Sequence, residues 1–133
     1  MQARNNMQTA ACITVTGWSM APALRPGDRV LLADGPLRVG DVVVVTAPQR
    51  LLVHRVVAFV AARDGSEPGF VITRGDGVRH CDAPSPLASV LGRVVAVERN
   101  GRRRPVPERL RTPRWLVRMA VRWQQKQQRH RWK

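Results

Sequence analysis

Residues 29–62 read RVLLADGPLRVGDVVVVTAPQRLLVHRVVAFVAA, and this stretch decides the fold class. Three runs rich in valine and leucine, at 29–33, 41–47 and 51–62, are separated by short segments that contain Gly, Pro or Asp. β-Branched runs of this length between such turn residues predict strands joined by turns.

The same pattern continues on both sides of this stretch. Further strand-like runs occur at 13–18, 70–74 and 88–98. We therefore predict a mainly β fold through residue 98, in the form of a coiled β-sheet or a barrel. The chain has 133 residues, which is enough for one compact core but not for two independent ones.

Ser19 and His54 are a candidate nucleophile and a candidate base. They lie in two strand-like segments, GWSMAPALRPGDRVLL (17–32) and LLVHRVVA (51–58). A serine hydroxyl is a poor nucleophile at neutral pH unless a base takes its proton, and imidazole often has this role. Taken singly, the serine also fits a turn and the histidine fits a packed strand residue. Together they make proteolysis the leading hypothesis.

The segment around Ser19 resembles the nucleophile box of the signal peptidase I family, in which Ser-Met-x-Pro-x-Leu precedes Gly-Asp and an apolar strand. The matching residues are Ser19, Met20, Pro22, Leu24, Gly27 and Asp28. Four more pieces follow in the family's order: Gly40-Asp41, HRVV with His54, TRGDGVRHCD (73–82) and LGRVVAVE (91–98). The resemblance covers roughly residues 14–98. It implies a signal-peptidase-like β fold and a serine peptidase.

The resemblance also implies individual roles. With His54 at the base position, the chain is similar to the branch of the family that uses histidine, in which aspartates six residues apart follow the base. Asp76 and Asp82 have this spacing. We expect Asp82 to orient His54, as in a Ser/His/Asp triad. Asp76 is a further candidate catalytic residue, and it is also expected to brace its loop or to cap its own turn.

Catalysis of this kind needs an oxyanion hole, and the backbone N–H of Ser19 is the expected donor. Leader peptidases often add a serine hydroxyl two residues earlier, where this chain has Gly17. A glycine there is similar to the self-cleaving repressor peptidases, although their base is a lysine. In the family a substrate lies extended along strand edges beside the serine. The predicted oxyanion and substrate-binding residues are Gly17, Trp18, Ser19, Met20 and Pro22, although Trp18 and Met20 fit core positions equally well.

Cys12 and Cys81 are expected to remain thiols, because two cysteines are too few for a disulfide framework. His80, Cys81 and Asp82 are adjacent in sequence, but consecutive residues of a strand point to opposite faces. We therefore predict no metal site, and nothing in the sequence indicates a cofactor.

Nearly all of the net charge of +14 lies near the C-terminus. Residues 1–98 contain ten Arg and eight acidic residues, whereas residues 99–133 contain thirteen Lys or Arg and one Glu. We predict a peptidase-like domain at 1–98, an irregular basic linker at 99–112 and a basic amphipathic helix or tail at 113–133. Thr112 is the expected N-cap of this helix and Pro113 its first residue.

A helix over residues 113 to about 128 would have an apolar face beside a row of arginines. The apolar residues are Trp115, Leu116, Met119, Ala120 and Trp123, and the arginines are Arg111, Arg114, Arg118 and Arg122. Such a helix suits an anionic membrane surface. It equally suits docking on the β domain with solvated arginines, and nucleic-acid contact is the third interpretation.

The sequence has no apolar run of about eighteen to twenty residues and no signal-peptide pattern. We therefore expect a location in the cytoplasm or at the inner membrane surface. The leading hypothesis is a serine endopeptidase whose partner is a leader peptide or precursor protein. The alternatives are a catalytically silent peptide-binding module of the same fold, and a nucleic-acid-binding protein that acts through its basic tail.

Overall fold

A computed structural model describes residues 11–64, 69–107 and 113–131, with side chains of the last range up to residue 127. The strands are β1 (Cys12–Thr14), β2 (Arg29–Ala33), β3 (Val42–Ala47), β4 (Arg50–Val60), β5 (Phe70–Arg74), β6 (Ser85–Pro86), β7 (Val90–Arg99) and β8 (Arg102–Arg104). A 3-10 helix (Leu87–Ser89) precedes β7, and an α-helix, α1 (Arg114–Arg131), lies near the C-terminus. The prediction of a mainly β fold is confirmed.

The strands form one antiparallel sheet in the order β1-β2-β7-β3-β4-β5-β6, with β8 also paired to β7. The barrel that we offered as one form of the fold is wrong, because this sheet does not close. Its pairing is interrupted between Leu31 and Leu32, between Val44 and Val45, and around Val56–Ala58. Such irregularities bend a sheet and increase its twist.

Strand β3 shows why the central apolar runs are continuous rather than alternating. Val42 and Val44 belong to one buried cluster, whereas Val43 and Val45 belong to another. Successive residues of a strand point to opposite faces. Both faces of β3 are therefore covered, and all four valines are excluded from water.

The sheet continues beyond residue 98, the boundary that we predicted for the β domain. Arg99 is the last residue of β7, and β8 then pairs back onto β7 through a turn at Asn100 and Gly101. Both turn residues have positive φ, which Asn and Gly tolerate best. The first part of the expected linker is therefore a strand of the sheet. Residues 108–112, which include the predicted N-cap Thr112 and Arg111, lie outside the described residues.

Helix α1 begins at Arg114, one residue later than predicted, and the Pro113 carbonyl accepts hydrogen bonds from the N–H groups of Leu116 and Val117. Val117, Ala120 and Val121 pack against buried residues of β4 and β5, namely Val57, Ala58, Val60 and Ile72. The helix is therefore docked on the sheet, as one of our interpretations required. No helix in residues 11–64, 69–107 and 113–131 is long and apolar enough to cross a membrane.

Candidate functional site

Ser19 lies in a turn between β1 and β2, as its position before a Pro- and Gly-rich segment predicts. The Ala21 N–H donates to the Trp18 carbonyl over 3.0 Å, and the Leu24 N–H donates to the Met20 carbonyl over 2.9 Å. The carbonyl of Ser19 itself accepts the Gly77 N–H over 2.8 Å. The main chain of Ser19 is therefore held by contacts within its own turn and by the loop after β5.

His54 lies in the middle of β4, opposite Val43 of β3, and its side chain is only 5% exposed. Its Nε2 lies 2.9 Å from the Ser19 Oγ, and its Nδ1 lies 2.5 Å from Oδ2 of Asp82. The structure thus brings together three residues that are 35 and 28 positions apart. They form one continuous line of hydrogen bonds.

Asp82 is fixed in this line by Thr73, a residue of β5 that we did not predict. The Asp82 N–H donates to the Thr73 carbonyl over 2.8 Å, and the Thr73 hydroxyl donates to Oδ2 of Asp82 over 2.7 Å. Thr73 is buried at the end of the apolar run FVIT. A hydroxyl in such a run needs a buried partner, which is the sequence feature that could have drawn attention to it.

This arrangement can activate the Ser19 hydroxyl as a nucleophile. With a proton on Nδ1, the imidazole of His54 donates to the Asp82 carboxylate and its Nε2 accepts the hydrogen of the Ser19 hydroxyl. A neutral imidazole held in this tautomer can take that proton when the serine oxygen attacks an electrophile. The same oxygen, nitrogen and carboxylate order defines Ser/His/Asp triads on unrelated folds.

Asp76, our further catalytic candidate, lies beside this line and not in it. Its Oδ1 accepts from Nε of Arg55 over 2.9 Å, and its Oδ2 accepts from Nη2 of the same guanidinium over 2.8 Å. Arg55 also donates to the carbonyls of Gly40 and Pro107, each over 2.9 Å. Because both charged side chains are buried, this contact fits the bracing role expected for Asp76 and gives it no contact with the reacting groups.

The comparison with protein families agrees with this geometry. The model of the family described as Signal peptidase, peptidase S26 matches residues 6–62, a segment that includes Ser19 and His54. Over these residues the chain is similar to the signal peptidase I family. The match supports a peptidase-type function. No curated protein and no solved structure matches the chain significantly.

A groove of about 360 Å³ opens beside Ser19. One wall is formed by residues 13–17 with Ser19 and Met20, and the other by residues 50–53 at the start of β4. The first wall therefore combines the end of β1 with the residues that follow it, and the second is the start of β4. An extended peptide is the ligand shape that such a groove fits best.

The predicted substrate-binding residues differ in their burial and in whether they line the groove. Gly17 lines the groove, whereas Met20 also reaches the core, where its sulfur accepts the Asp76 N–H over 3.3 Å. The burial of Met20 therefore agrees with the interpretation that it is a core residue. Trp18 is 69% exposed and does not occupy a core position. Pro22 is exposed and follows a cis peptide bond.

The aspartates of the two Gly-Asp pairs stabilise turns. Asp28 accepts two hydrogen bonds of 2.7 Å from the guanidinium of Arg99 and one of 2.9 Å from the Arg25 N–H. The Arg99 hydrogen bonds, more than any other contact, hold the pKa of Asp28 below its usual range against the opposing effect of burial. Asp41 accepts the Arg38 N–H over 2.8 Å in the turn before β3.

Both cysteines are free thiols, as predicted. Cys12 is exposed, whereas Cys81 is partly buried next to Asp82. Burial, more than its charged neighbours, raises the pKa of the Cys81 thiol. A raised pKa leaves less of the Cys81 thiol as the nucleophilic thiolate at neutral pH.

Proposed function

We propose that the chain is a serine endopeptidase that cleaves a leader or signal-like peptide. The observation that carries this proposal is the hydrogen-bonded order Ser19 Oγ, His54 Nε2, His54 Nδ1 and Asp82 Oδ2. The family match over residues 6–62 supports the peptidase class, while the geometry supports the assignment of roles.

In the proposed mechanism Ser19 Oγ attacks the carbonyl carbon of the scissile bond as His54 Nε2 takes the hydroxyl proton. The imidazolium then gives that proton to the amide nitrogen, the C–N bond breaks, and an amine leaves from an acyl-enzyme ester. A water attacks the ester while His54 takes one of its protons. The second tetrahedral intermediate then collapses, and the proton returns to the Ser19 oxygen. Asp82 remains a carboxylate throughout and stabilises the imidazolium.

The negative charge that develops on the carbonyl oxygen needs a fixed donor. We assign the Ser19 backbone N–H to this role, because a donor of this kind lowers the barrier by about 3 kcal/mol. The hydrogen bond from Gly77 to the Ser19 carbonyl holds the same peptide segment in place. With Gly17 two residues earlier, the chain has no side-chain hydroxyl at the position where leader peptidases often have the second donor.

The substrate is proposed to lie in the groove beside Ser19, between residues 13–17 and residues 50–53. Strand β1 is at one edge of the sheet, so a peptide can add to it through main-chain hydrogen bonds. The groove volume of about 360 Å³ leaves room for small side chains near the serine. The resemblance to the signal peptidase I family implies small residues such as alanine just before the scissile bond.

Intact-mass spectrometry tests this proposal. Wild type, Ser19→Ala, His54→Ala and the control Ser89→Ala are incubated with an acyl-trapping β-lactam or lipopeptide inhibitor and with a library of leader peptides containing alanine. We expect an adduct or cleavage with wild type and Ser89→Ala only. A folded wild type that is as inert as Ser19→Ala, yet binds the peptides, would instead support the silent peptide-binding module.

A further inference from the structure

Helix α1 has an exposed apolar row beside the face that packs on the sheet. Trp115, Met119 and Trp123 follow each other at intervals of four residues, and they are 62%, 59% and 49% exposed. Residues four apart lie on one face of a helix. Single exposed apolar residues are ordinary, but three large ones in a row with two indoles form a patch.

A basic row lies beside the apolar one. Arg114, Arg118, Arg122 and Lys126 are also spaced by four residues, and all are exposed. The helix contains no Asp or Glu to balance them. The predicted apolar face is therefore divided. Leu116 is buried and Ala120 packs against the sheet, whereas Trp115 and Trp123 are exposed next to the cations.

The apolar row continues beyond the helix. Met119 and Trp123 line a shallow cavity of about 370 Å³, whose opposite side is residues 80–84. That segment ends in Ala83 and Pro84, so the apolar surface extends from α1 across to the chain that carries Asp82. The patch and the candidate catalytic line are therefore neighbours.

We propose that this face of α1 binds the surface of an anionic lipid bilayer. Indole and thioether side chains suit the boundary between headgroups and acyl chains, and the row of cations beside them is complementary to negatively charged headgroups. The inference goes beyond the peptidase activity and does not depend on it. If both hold, the membrane surface lies close to the residues that cut the peptide.

Two features favour a lipid surface over a nucleic acid. The exposed row has a methionine at its centre and leads to Ala83 and Pro84, which offer apolar contact rather than stacking platforms for successive bases. The cations form a row along the edge of the apolar patch, as in helices that lie in a membrane interface. A nucleic acid remains a distinct outcome of the experiment below.

Flotation of the full-length protein with vesicles tests the proposal. Vesicles contain either phosphatidylcholine alone or a mixture with phosphatidylglycerol. We expect wild type to float with the anionic vesicles, much less with the neutral ones, and progressively less as salt is added. Equal binding to both compositions, or no binding to either, would overturn the proposal.

Matched variants separate the helix face from the charge of the chain as a whole. Trp115→Ser/Trp123→Ser should weaken binding at least about tenfold, because two large side chains no longer leave water, and Trp115→Phe/Trp123→Phe should restore part of it. Arg118→Gln/Arg122→Gln should also weaken it about tenfold. Arg102→Gln/Arg103→Gln removes the same charge from β8 and should have an effect below about threefold. Equal losses of vesicle binding in the two double arginine variants would contradict binding through one face of α1.

Quenching by lipids with brominated acyl chains adds a direct readout. We expect wild-type tryptophan emission to fall on binding, and to fall less in Trp115→Phe/Trp123→Phe. Circular dichroism and thermal melting verify that every variant is folded. If duplex or single-stranded DNA displaces the protein from vesicles, and the tryptophan variants lose DNA binding without losing vesicle binding, the face belongs to a nucleic-acid site and the proposal fails.

Discussion

A Cβ atom at Gly75 would lie 2.5 Å from the carbonyl oxygen of Ser19, so the main chains of these two residues are in direct contact. The same atom would lie 3.0 Å from His54 Nε2. Residue 75 must therefore be glycine, because the site leaves no room for a side chain there. Gly75 lies in the loop after β5, so this contact joins the turn that carries the candidate nucleophile to the loop that leads to Asp82.

Gly75→Ala should reduce peptide cleavage by about hundredfold, because a displacement of about 1 Å at a reacting group has an effect of this size. The change forces the Ser19 carbonyl away from the loop. Initial rates with the best peptide substrate measure it, and thermal melting shows whether the variant is folded.

Gly101→Ala is the control for this substitution. A Cβ at Gly101 meets no atom within 4 Å, but the residue has a φ of +74°, so alanine is strained there by about 1–2 kcal/mol. We expect a lower melting temperature with an unchanged cleavage rate. Equal activity of Gly75→Ala and wild type would show that the close contact does not position Ser19.

Thr73→Val should lower kcat/KM about tenfold, because Asp82 loses a hydrogen bond from a buried hydroxyl and with it part of its fixed orientation. Thr73→Ser keeps the hydroxyl and should recover most of the activity. Thr46→Val is the matched control, since the Thr46 hydroxyl donates to the Ser89 carbonyl over 3.2 Å on an exposed surface. Similar activity of the valine and serine variants at residue 73 would contradict the role of the hydroxyl.

Arg55→Met should destabilise the protein by about 3–5 kcal/mol, because it leaves the Asp76 carboxylate buried without its partner. The double variant Arg55→Met/Asp76→Leu should recover part of this loss, since both charges are then absent. Urea unfolding monitored by circular dichroism measures these free energies.

Arg29→Met tests whether burial is the reason for the large loss of stability expected in Arg55→Met. Arg29 forms an ion pair of 3.5 Å with Glu98, but more than half of its side chain is exposed. We expect a change below about 1 kcal/mol for this pair. Comparable losses for Arg29→Met and Arg55→Met would mean that desolvation of Asp76 is not the main cost.

Asp28→Asn should lower the free energy of unfolding near neutral pH and not in strong acid. Because the pKa of Asp28 is below its usual value of 3.8 in the folded chain, the ionised carboxylate stabilises the fold above that value. The stabilisation is lost as the pH falls through the folded-state pKa. Urea unfolding at several pH values should therefore show wild type and variant converging in acid.

Asp34→Asn removes the same charge from an exposed turn and is the control for Asp28→Asn. Its unfolding free energy should follow that of wild type across the pH range. A constant difference between Asp28→Asn and wild type down to strong acid would contradict the assigned cause, which is the pair of hydrogen bonds from Arg99.

Cys81 should react with iodoacetamide at least about tenfold more slowly than Cys12 at neutral pH, because burial limits access and raises the pKa of its thiol. In Cys12→Ser the single remaining thiol should be the slow one, and its rate should rise with pH. Mass spectrometry of labelled peptides distinguishes the two sites. Equal labelling rates would show that Cys81 is not shielded.

Much of the strand layout was predictable from the sequence, because it depends on short-range patterns. The runs at 29–33 and 70–74 match β2 and β5 residue for residue, since Gly, Pro and Asp mark their ends. The two-residue strand β6 and the arginine-rich β8 were missed. Both depend on a partner strand and have no apolar pattern of their own.

The candidate site was predictable only in part. Ser19, His54 and Asp82 were recognised by residue type and order, but the partner of Asp82 was not, because a threonine in an apolar strand is a common residue. Arg55 appeared only as a neighbour of His54 in the sequence. Its burial against Asp76 depends on four chain segments that come together in the folded protein.

The sequence by itself determined the strand-rich composition, the turns at Gly and Pro, and the concentration of charge in the last 35 residues, since these are properties of neighbouring residues. Only the tertiary structure decided that the sheet stays open, that Asp76 pairs with Arg55 while Asp82 contacts His54, and that the tryptophans of α1 remain exposed. The two aspartates have the same chemistry and lie six residues apart. What distinguishes them is which cation or imidazole the fold places within hydrogen-bond distance, and that is set by strand register and by the direction of each side chain.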